Sequence, residues 1–471
     1  MGILGKLKPE KVMKYFEEIC SIPHSSGDTK RISDYCVRFA QERGLKYIQD
    51  AHNNVVIYKP ATAGYEDHPT VIVQGHMDMV CEKDADCDLD FSEDGLRLRY
   101  DGTYISADGT TLGADDGIAV AYQLAILDAT DLKHPPIEAV FTVDEEIGML
   151  GADAMDMSVL KGRILLNCDS EDEGILTVGC AGGVCSTLTK TVQRESVNGQ
   201  VWRMAVADLI GGHSGVEINS GRANANKVLA EILKALPVRL ICVDGGRKDN
   251  AITRASEALV VADAPEKAFF ARAEEVRKIL PESETQVRFI CEPAQTELLP
   301  MTGKDSRAVI GLLSEVPQGV QKMSPDIENL VQTSLNLGIL KTENNAVTMT
   351  FSVRSSVNEE KKALMRTLAA LGEKYGAEYS ENGDYPAWEY QKQSYLRDTM
   401  AQVFREQYGK EMKIEVIHAG LECGIFYDRL QGLDAVSFGP QIHDIHTSRE
   451  RLDAASTERT WKLLTEVLAR L

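Results

Sequence analysis

Five short segments carry side chains that could do chemistry together: Gly75-His76-Met77-Asp78, Gly113-Ala114-Asp115-Asp116-Gly117, Asp144-Glu145-Glu146-Ile147-Gly148, Asn167-Cys168-Asp169-Ser170 and His443-Asp444-Ile445-His446. Each falls at the expected end of a strand or in a loop. Together they offer imidazoles and several carboxylates, the donor set that a pair of zinc-like ions uses in a hydrolytic centre. Such a centre narrows the chemistry far more than a fold does.

Each segment has a local reading as well as a chemical one. His76 and Asp78 are two apart beyond an apolar run, so an extended backbone would aim both to one side. His76 could then bind a metal while Asp78 hydrogen-bonds its other ring nitrogen; a solvated strand-end histidine is the competing reading. Asp115 stands where a glycine-rich turn enters a helix, a position that suits a cap. Asp115 and Asp116 are not both needed for capping, and a single carboxylate can bridge two metals about 3.5–4 Å apart. Asp144-Glu145-Glu146 ends an apolar strand, where three consecutive carboxylates repel one another and are costly without cations. Adjacent side chains leave a strand in different directions, so one glutamate could ligate a metal while the other acts as general base. Asp169 closes another strand, and the acidic run after it reads as a solvated loop. Spacing alone allows either His443 or His446 as a ligand. His213, in Gly211-Gly212-His213-Ser214-Gly215, reads locally as an exposed loop histidine.

Competing motifs fail. Asp84-Ala85-Asp86-Cys87-Asp88-Leu89-Asp90 resembles a calcium loop but has Leu89 where glycine is needed and Gly95 where glutamate is needed. There is no His-Glu-x-x-His, no P-loop and no Gly-x-Ser-x-Gly elbow.

These residues need a scaffold, and 471 residues exceed one ordinary core, so two domains are expected. The 51 basic and 72 acidic residues give a net charge of −21, which repels phosphate backbones and anionic membranes. Neither nucleic acid nor a membrane is therefore expected as a partner. The first residues show no secretory pattern, and no apolar run approaches the roughly 20 residues needed to span a bilayer. The ten cysteines lack paired C-x-x-C spacing, which points to reduced thiols in a cytoplasmic protein.

Periodicity predicts two amphipathic helices between residue 9 and about 43, then apolar strands at 54–58, 70–74, 138–143 and 163–167. A helix from Asp116 to about Asp128 has almost no polar face and should be buried. Solidly apolar strands alternating with helices indicate a covered, largely parallel sheet. From about 187 the pattern changes to polar–apolar alternation, as at 201–206 and 346–354, with amphipathic helices around 222–236, 266–279 and 358–375. That is the pattern of an antiparallel sheet with helices on one face. Strand 414–417 and a last helix at about 456–470 return to the first texture. The expected division is 1–186 and 384–471 for one domain, with 187–383 inserted.

At Gln74-Gly75-His76-Met77-Asp78-Met79-Val80, Leu112-Gly113-Ala114-Asp115-Asp116-Gly117-Ile118, Thr142-Val143-Asp144-Glu145-Glu146-Ile147-Gly148, Gly211-Gly212-His213-Ser214-Gly215, His418-Ala419-Gly420-Leu421-Glu422-Cys423-Gly424 and His446-Thr447-Ser448, the chain resembles the co-catalytic zinc exopeptidases that include aminoacylase, carboxypeptidase G and the dipeptidases. The fold this resemblance implies is a zinc-exopeptidase-like α/β domain, a mixed sheet flanked by helices, with an inserted α+β lid. It implies two divalent ions, zinc first, with manganese or cobalt as alternatives. His76, Asp115 and Asp169 would hold one, and Asp115, Glu146 and His446 the other. Asp78 would orient His76, Glu145 would be the general base, and His213 would bind the substrate carbonyl oxygen. Asn250, Arg354 and Glu422 would touch substrate, while Asp116 and His443 receive no role. The implied substrate is a small peptide, a dipeptide with C-terminal histidine among the candidates, and a homodimer is compatible. The rival readings are an N-acyl amino-acid deacylase or carboxypeptidase, and a non-catalytic metal-binding protein.

Overall fold

Runs that are apolar at successive positions, rather than at alternate ones, fill the middle of one sheet. The computed structural model describes residues 2–471. An eight-stranded mixed sheet has the order Lys46–Gln49, Val55–Lys59, Ile137–Thr142, Val71–His76, Ile164–Asn167, Asp434–Ser437, Ile175–Cys180, Lys413–Ile417. Val71–His76 and Ile137–Thr142 are buried along their whole length, as strands covered on both faces must be. Val71–His76 runs parallel to both Ile137–Thr142 and Ile164–Asn167, and the register sets His76 against Thr142 and Gln74 against Asn167. Three strands therefore end at one edge, where the chain departs toward Asp78, Glu145 and Asp169. Such edges are where α/β sheets place their sites.

Helix Ala114–Asp128 packs on these strands and is buried continuously from Asp116 to Leu127. Gln123 Nε2 donates to the carbonyls of Val73 (2.6 Å) and Val140 (2.8 Å), fastening the helix to two strands. A Cβ at Gly75 would lie 2.5 Å from Ala119 Cβ and 2.6 Å from Asp116 Oδ2, so glycine is what lets helix and strand close. The backbone enters the helix through Gly113 at φ +65° and is not helical at Asp115 (φ −82°, ψ 102°) or Asp116 (φ −117°, ψ 30°). The regular helix begins at Gly117, one residue later than its sequence pattern predicts. A four-stranded sheet, ordered Ile442–His443, Arg451–Asp453, Tyr104–Ala107, Leu98–Tyr100, holds both ends of the loop that carries His446.

The chain forms two compact units. One comprises the residues up to Cys180 with Tyr390–Val416 and Leu421–Leu471; the other comprises Ala181–Glu389 with Ile417–Gly420. The second is built on a nine-stranded sheet whose main path runs Arg288–Pro293, Gln200–Ala207, Ser256–Ala262, Arg239–Gly245, Val331–Glu343, Ala346–Ser355, Gly182–Thr191, Glu378–Tyr385, with Gly319–Met323 paired to Val331–Glu343. Alternation along Ala346–Ser355 buries Val347, Met349, Phe351 and Val353 in a core shared with helices Ala225–Leu233, Glu266–Arg277, Gly303–Glu315 and Asn358–Tyr375. None of the ten cysteines is in a disulfide, and Cys20, Cys36, Cys168, Cys180 and Cys423 are buried. Among the described residues no helix is long and apolar enough to cross a membrane.

Candidate metal centre

His76, at the last position of its strand, is 1% exposed, and its two ring nitrogens face different partners. Nδ1 lies 3.0 Å from the carbonyl oxygen of Asp78 and 3.4 Å from its carboxylate. Nε2 lies 3.2 Å from Asp115 Oδ1 and 3.8 Å from Asp169 Oδ1. The second oxygen of Asp115 is 3.1 Å from His446 Nε2, which is 2.9 Å from Glu146 Oε1. One carboxylate thus turns one oxygen to each of two imidazoles. His76, Asp116 and Asp169 form one group with donor atoms within 4.8 Å of one another; His76, Glu145 and Glu146 form a second, and Asp115, Glu146 and His446 a third.

Local backbone shape aims these side chains. Asp144 (φ +56°) and His446 (φ +58°) are in the left-handed region, an unfavourable state for residues with a Cβ that persists where surroundings impose it. Asp144 Oδ1 accepts the Gly27 amide at 2.7 Å, holding the turn that presents Glu145 and Glu146. The Asp78 carboxylate accepts the hydroxyl of Ser26 (2.8 Å) and the amides of Glu145 (3.1 Å) and Glu146 (3.4 Å). It therefore steadies both the imidazole beside it and the next strand end.

The electrostatics fit divalent cations. Burial, reinforced by the carboxylates of Asp115, Glu171 and Glu146, pushes the Asp169 carboxyl up to about 8. Burial likewise drives Glu145 and Asp116 well above the carboxylate range. Burial pulls His76 down, but hydrogen bonds to Asp115 and Asp78 outweigh it and hold the imidazole well above its usual range. Hydrogen bonds to Asp115 and Glu146 lift His446 to about 10. Carboxyls that resist ionising, packed against imidazoles that keep their protons, are a donor set that bound cations would relieve on both counts.

The remaining expected residues divide between the two units. Asp116 is fully inside, accepting the His76 amide at 3.2 Å. His443 turns away from the cluster and packs edge-on against Tyr104, ring centroids 5.7 Å apart. In the second unit, His213 pairs across a short ladder with Ala251, and the Asn250 carbonyl accepts the Ser214 amide at 2.8 Å. Arg354 lies at the end of Ala346–Ser355, its Nη1 3.3 Å from the Tyr385 hydroxyl. Burial and then the Arg354 charge hold His213 below its usual pKa, and the same two causes take His418 down to about 4. His418, whose Nε2 is 2.7 Å from Ser334 Oγ, thus shares the surroundings of Arg354, a neighbourhood that no sequence spacing reveals. Glu422, expected as a substrate contact, is 0% exposed. Its Oε2 accepts Gln74 Nε2 (2.5 Å) and Thr142 Oγ1 (2.6 Å), and Gln74 Oε1 accepts Asn167 Nδ2 (2.7 Å). This polar network ties together the three strand ends that carry the cluster. Glu450 is another buried carboxylate, one that no motif in the sequence singles out; its position four residues after His446 is the signal that could have found it.

Comparison with known proteins identifies the family. The chain is 35% identical over 482 aligned positions to the cytosol non-specific dipeptidase of Escherichia coli (strain K12), covering 100% of this chain and 99% of the relative. It matches the crystal structure of aminoacylhistidine dipeptidase from Vibrio alginolyticus with a TM-score of 0.94 and 36% identity, over 100% of this chain and 98% of that one. A tripeptidase from Staphylococcus aureus matches with a TM-score of 0.58 and 15% identity, over 99% and 100% of the two chains, a likeness of fold alone. The profile of peptidase family M20/M25/M40 covers residues 72–470, from the strand that delivers His76 to the last helix, and with a relative aligned from end to end beside it, the chain belongs to that family.

Proposed function

We propose that this chain is a metal-dependent dipeptidase that hydrolyses free dipeptides, those with C-terminal histidine among them, using two divalent ions, zinc first and manganese or cobalt as alternatives. One observation carries the reading: Asp115 offers its two oxygens to two different imidazoles, His76 and His446, at 3.2 and 3.1 Å. A bridging carboxylate of this kind belongs to a paired-ion centre. His76, Asp115 and Asp169 would hold one ion, and Asp115, Glu146 and His446 the other. Such ions, when bound, lower the pKa of a water toward 7 and polarise a carbonyl.

The chain's own residues do the rest. Glu145 takes a proton from the attacking water and returns it to the leaving amine. Asp78 fixes the His76 ring and, through the two amides it accepts, the positions of Glu145 and Glu146. In this proposal the second unit is a lid, with Asn250 and Arg354 contacting substrate and His213 donating to the carbonyl oxygen as negative charge develops there. The tautomer supports that role. His213 Nδ1 accepts the Gly215 amide at 3.2 Å, so the proton of the neutral ring resides on Nε2, a donor. A homodimer and a cytoplasmic setting complete the proposal, the latter supported by the description of the E. coli relative as a cytosol enzyme.

A hydrolysis screen tests it, using protein stripped of metal and reloaded with zinc, manganese or cobalt. Free dipeptides, Xaa-His included, are expected to be cleaved, and N-acetyl dipeptides and tripeptides to react poorly. Preferential deacylation or efficient tripeptide cleavage would move the chain to the deacylase or carboxypeptidase reading. Tight metal binding with no hydrolysis of any of these would leave a metal-binding protein.

A further inference from the structure

Glu450 is 2% exposed, and its partners are all backbone. Its Oε2 accepts the amides of Leu112 (2.9 Å) and Gly113 (3.1 Å), and its Oε1 those of Ala114 (2.8 Å) and Asp115 (3.3 Å). Two carboxylate oxygens present about four lone-pair sites, so four consecutive amides saturate the group. These amides converge because Gly113 is left-handed and the chain is turning into a helix, a concavity of the kind that commonly takes an external anion. Here the anion is supplied by the chain itself. Glu450 also lies four residues beyond His446, in a turn closed by its own amide donating to the Thr447 carbonyl at 3.1 Å, and the strand Arg451–Asp453 that follows pairs with Tyr104–Ala107. One carboxylate therefore clamps the Asp115 turn to the segment that presents His446.

We infer that Glu450 is a positioning residue for the metal centre: it sets Asp115 against His446, so that the ion held by Asp115, Glu146 and His446 binds only while four amides grip that carboxylate. This rests on the two-ion reading proposed above. Glu450→Gln is the sharpest variant, because an amide keeps one oxygen and turns an –NH₂ donor toward amides that are donors themselves. Glu450→Asp keeps both oxygens but withdraws them by one methylene.

The test titrates metal-free wild type, Glu450→Gln and Glu450→Asp with zinc against a competing chelator, resolving two binding steps. Near-UV circular dichroism and thermal melts of the metal-free proteins run alongside, with kcat and KM as zinc is added. The expected result for Glu450→Gln is a native metal-free fold, one of the two steps loosened by about 10–100-fold, the other little changed, and kcat recovered in excess zinc at unaltered KM. Glu450→Asp should fall between this variant and wild type. Two unchanged steps in a folded Glu450→Gln, or equal loosening of both steps together with a lower melting temperature, would make Glu450 an ordinary helix cap and overturn the inference. If Glu450→Gln does not fold, Glu450→Asp decides by the same criteria; failure of both to fold overturns it as well. A wild type that binds fewer than two ions would instead sink the two-ion reading, which separates the two failures.

Discussion

Glu145 and Glu146 are neighbours in sequence with different surroundings: Glu146 lies 2.9 Å from His446, whereas burial alone is the largest influence on Glu145. Replacing Glu145 by glutamine removes proton transfer without removing a metal donor, and its backbone amide still reaches Asp78. Glu145→Gln is expected to retain both ions by elemental analysis and to lose about 10²–10⁴ in kcat; near-normal turnover in the fully loaded variant would remove it from the proton-transfer role. The donor types were legible because His76, Glu145, Glu146 and Asp169 follow runs whose apolar character marks strands, and parallel strands end together. The choice between His443 and His446 was not, because it depends on a loop turning through a left-handed backbone at Asp444 and His446. Glu450 was also hidden, and Glu422, expected as a substrate contact, has a different place that no spacing reveals. The first bonds only to backbone amides, and the second meets Gln74 and Thr142 from 348 and 280 residues away in the chain.

Helix Ala114–Asp128 and strand Val71–His76 approach so closely that the contact has no room for a methyl group. Gly75→Ala would drive a Cβ into Ala119 and the Asp116 carboxylate, and overpacking of this kind costs about 1–3 kcal/mol. The variant should therefore melt several degrees lower, and its metal affinity should fall because the displaced groups border His76. Chemical denaturation and chelator competition measure the two effects, and a variant with wild-type stability would show that the helix has slack the packing denies. Many elements were legible from burial, either as continuous apolar runs or as a period. Val71–His76, Ile137–Thr142, Ala346–Ser355 and Asn358–Tyr375 lie within a residue or two of their predicted bounds. Glu378–Tyr385 was not legible: it is a mostly exposed edge strand whose order comes from pairing with Gly182–Thr191, not from its own residues. Gly303–Glu315 escaped because Gly-Lys-Asp-Ser opens it, and its start is set by Thr302 accepting the Asp305 amide, a cap that reads equally well as a turn.

Across the molecule, buried protons couple metal to stability. Without metal, burial holds Asp169 and Glu422 at about 8, and Asp115 and Glu146 hold His446 at about 10. Unfolded, these groups titrate near 4 and 6.5, so between pH 6.5 and 8 the folded chain binds more protons than the unfolded one. Stability must then fall as pH rises: the His446 contribution is complete below about 6.5 and is lost toward 10, and the two carboxyls lose theirs by about 8. His418, held near 4, is neutral in the folded state throughout this window and nearly so when unfolded at its upper end. The chelated protein should accordingly melt at lower temperature at pH 8 than at pH 6.5. The loaded protein should show a smaller fall, because metal binding has already displaced the protons of Asp169 and His446; a chelated melting temperature that rises over this range would contradict the scheme. The sheet order carries a consequence of another kind, for the order of synthesis. Strand Asp434–Ser437 lies between Ile164–Asn167 and Ile175–Cys180, so a growing chain makes both walls of a gap long before the strand that fills it. All nine strands of the large sheet in the second unit fall between Gly182 and Tyr385, so that sheet can close first. His446 follows the filling strand by nine residues, and no chain that stops short of it holds the full set of proposed donors. On the two-ion reading proposed above, a chain growing on the ribosome would stay inert toward peptide bonds until residue 446 has been made.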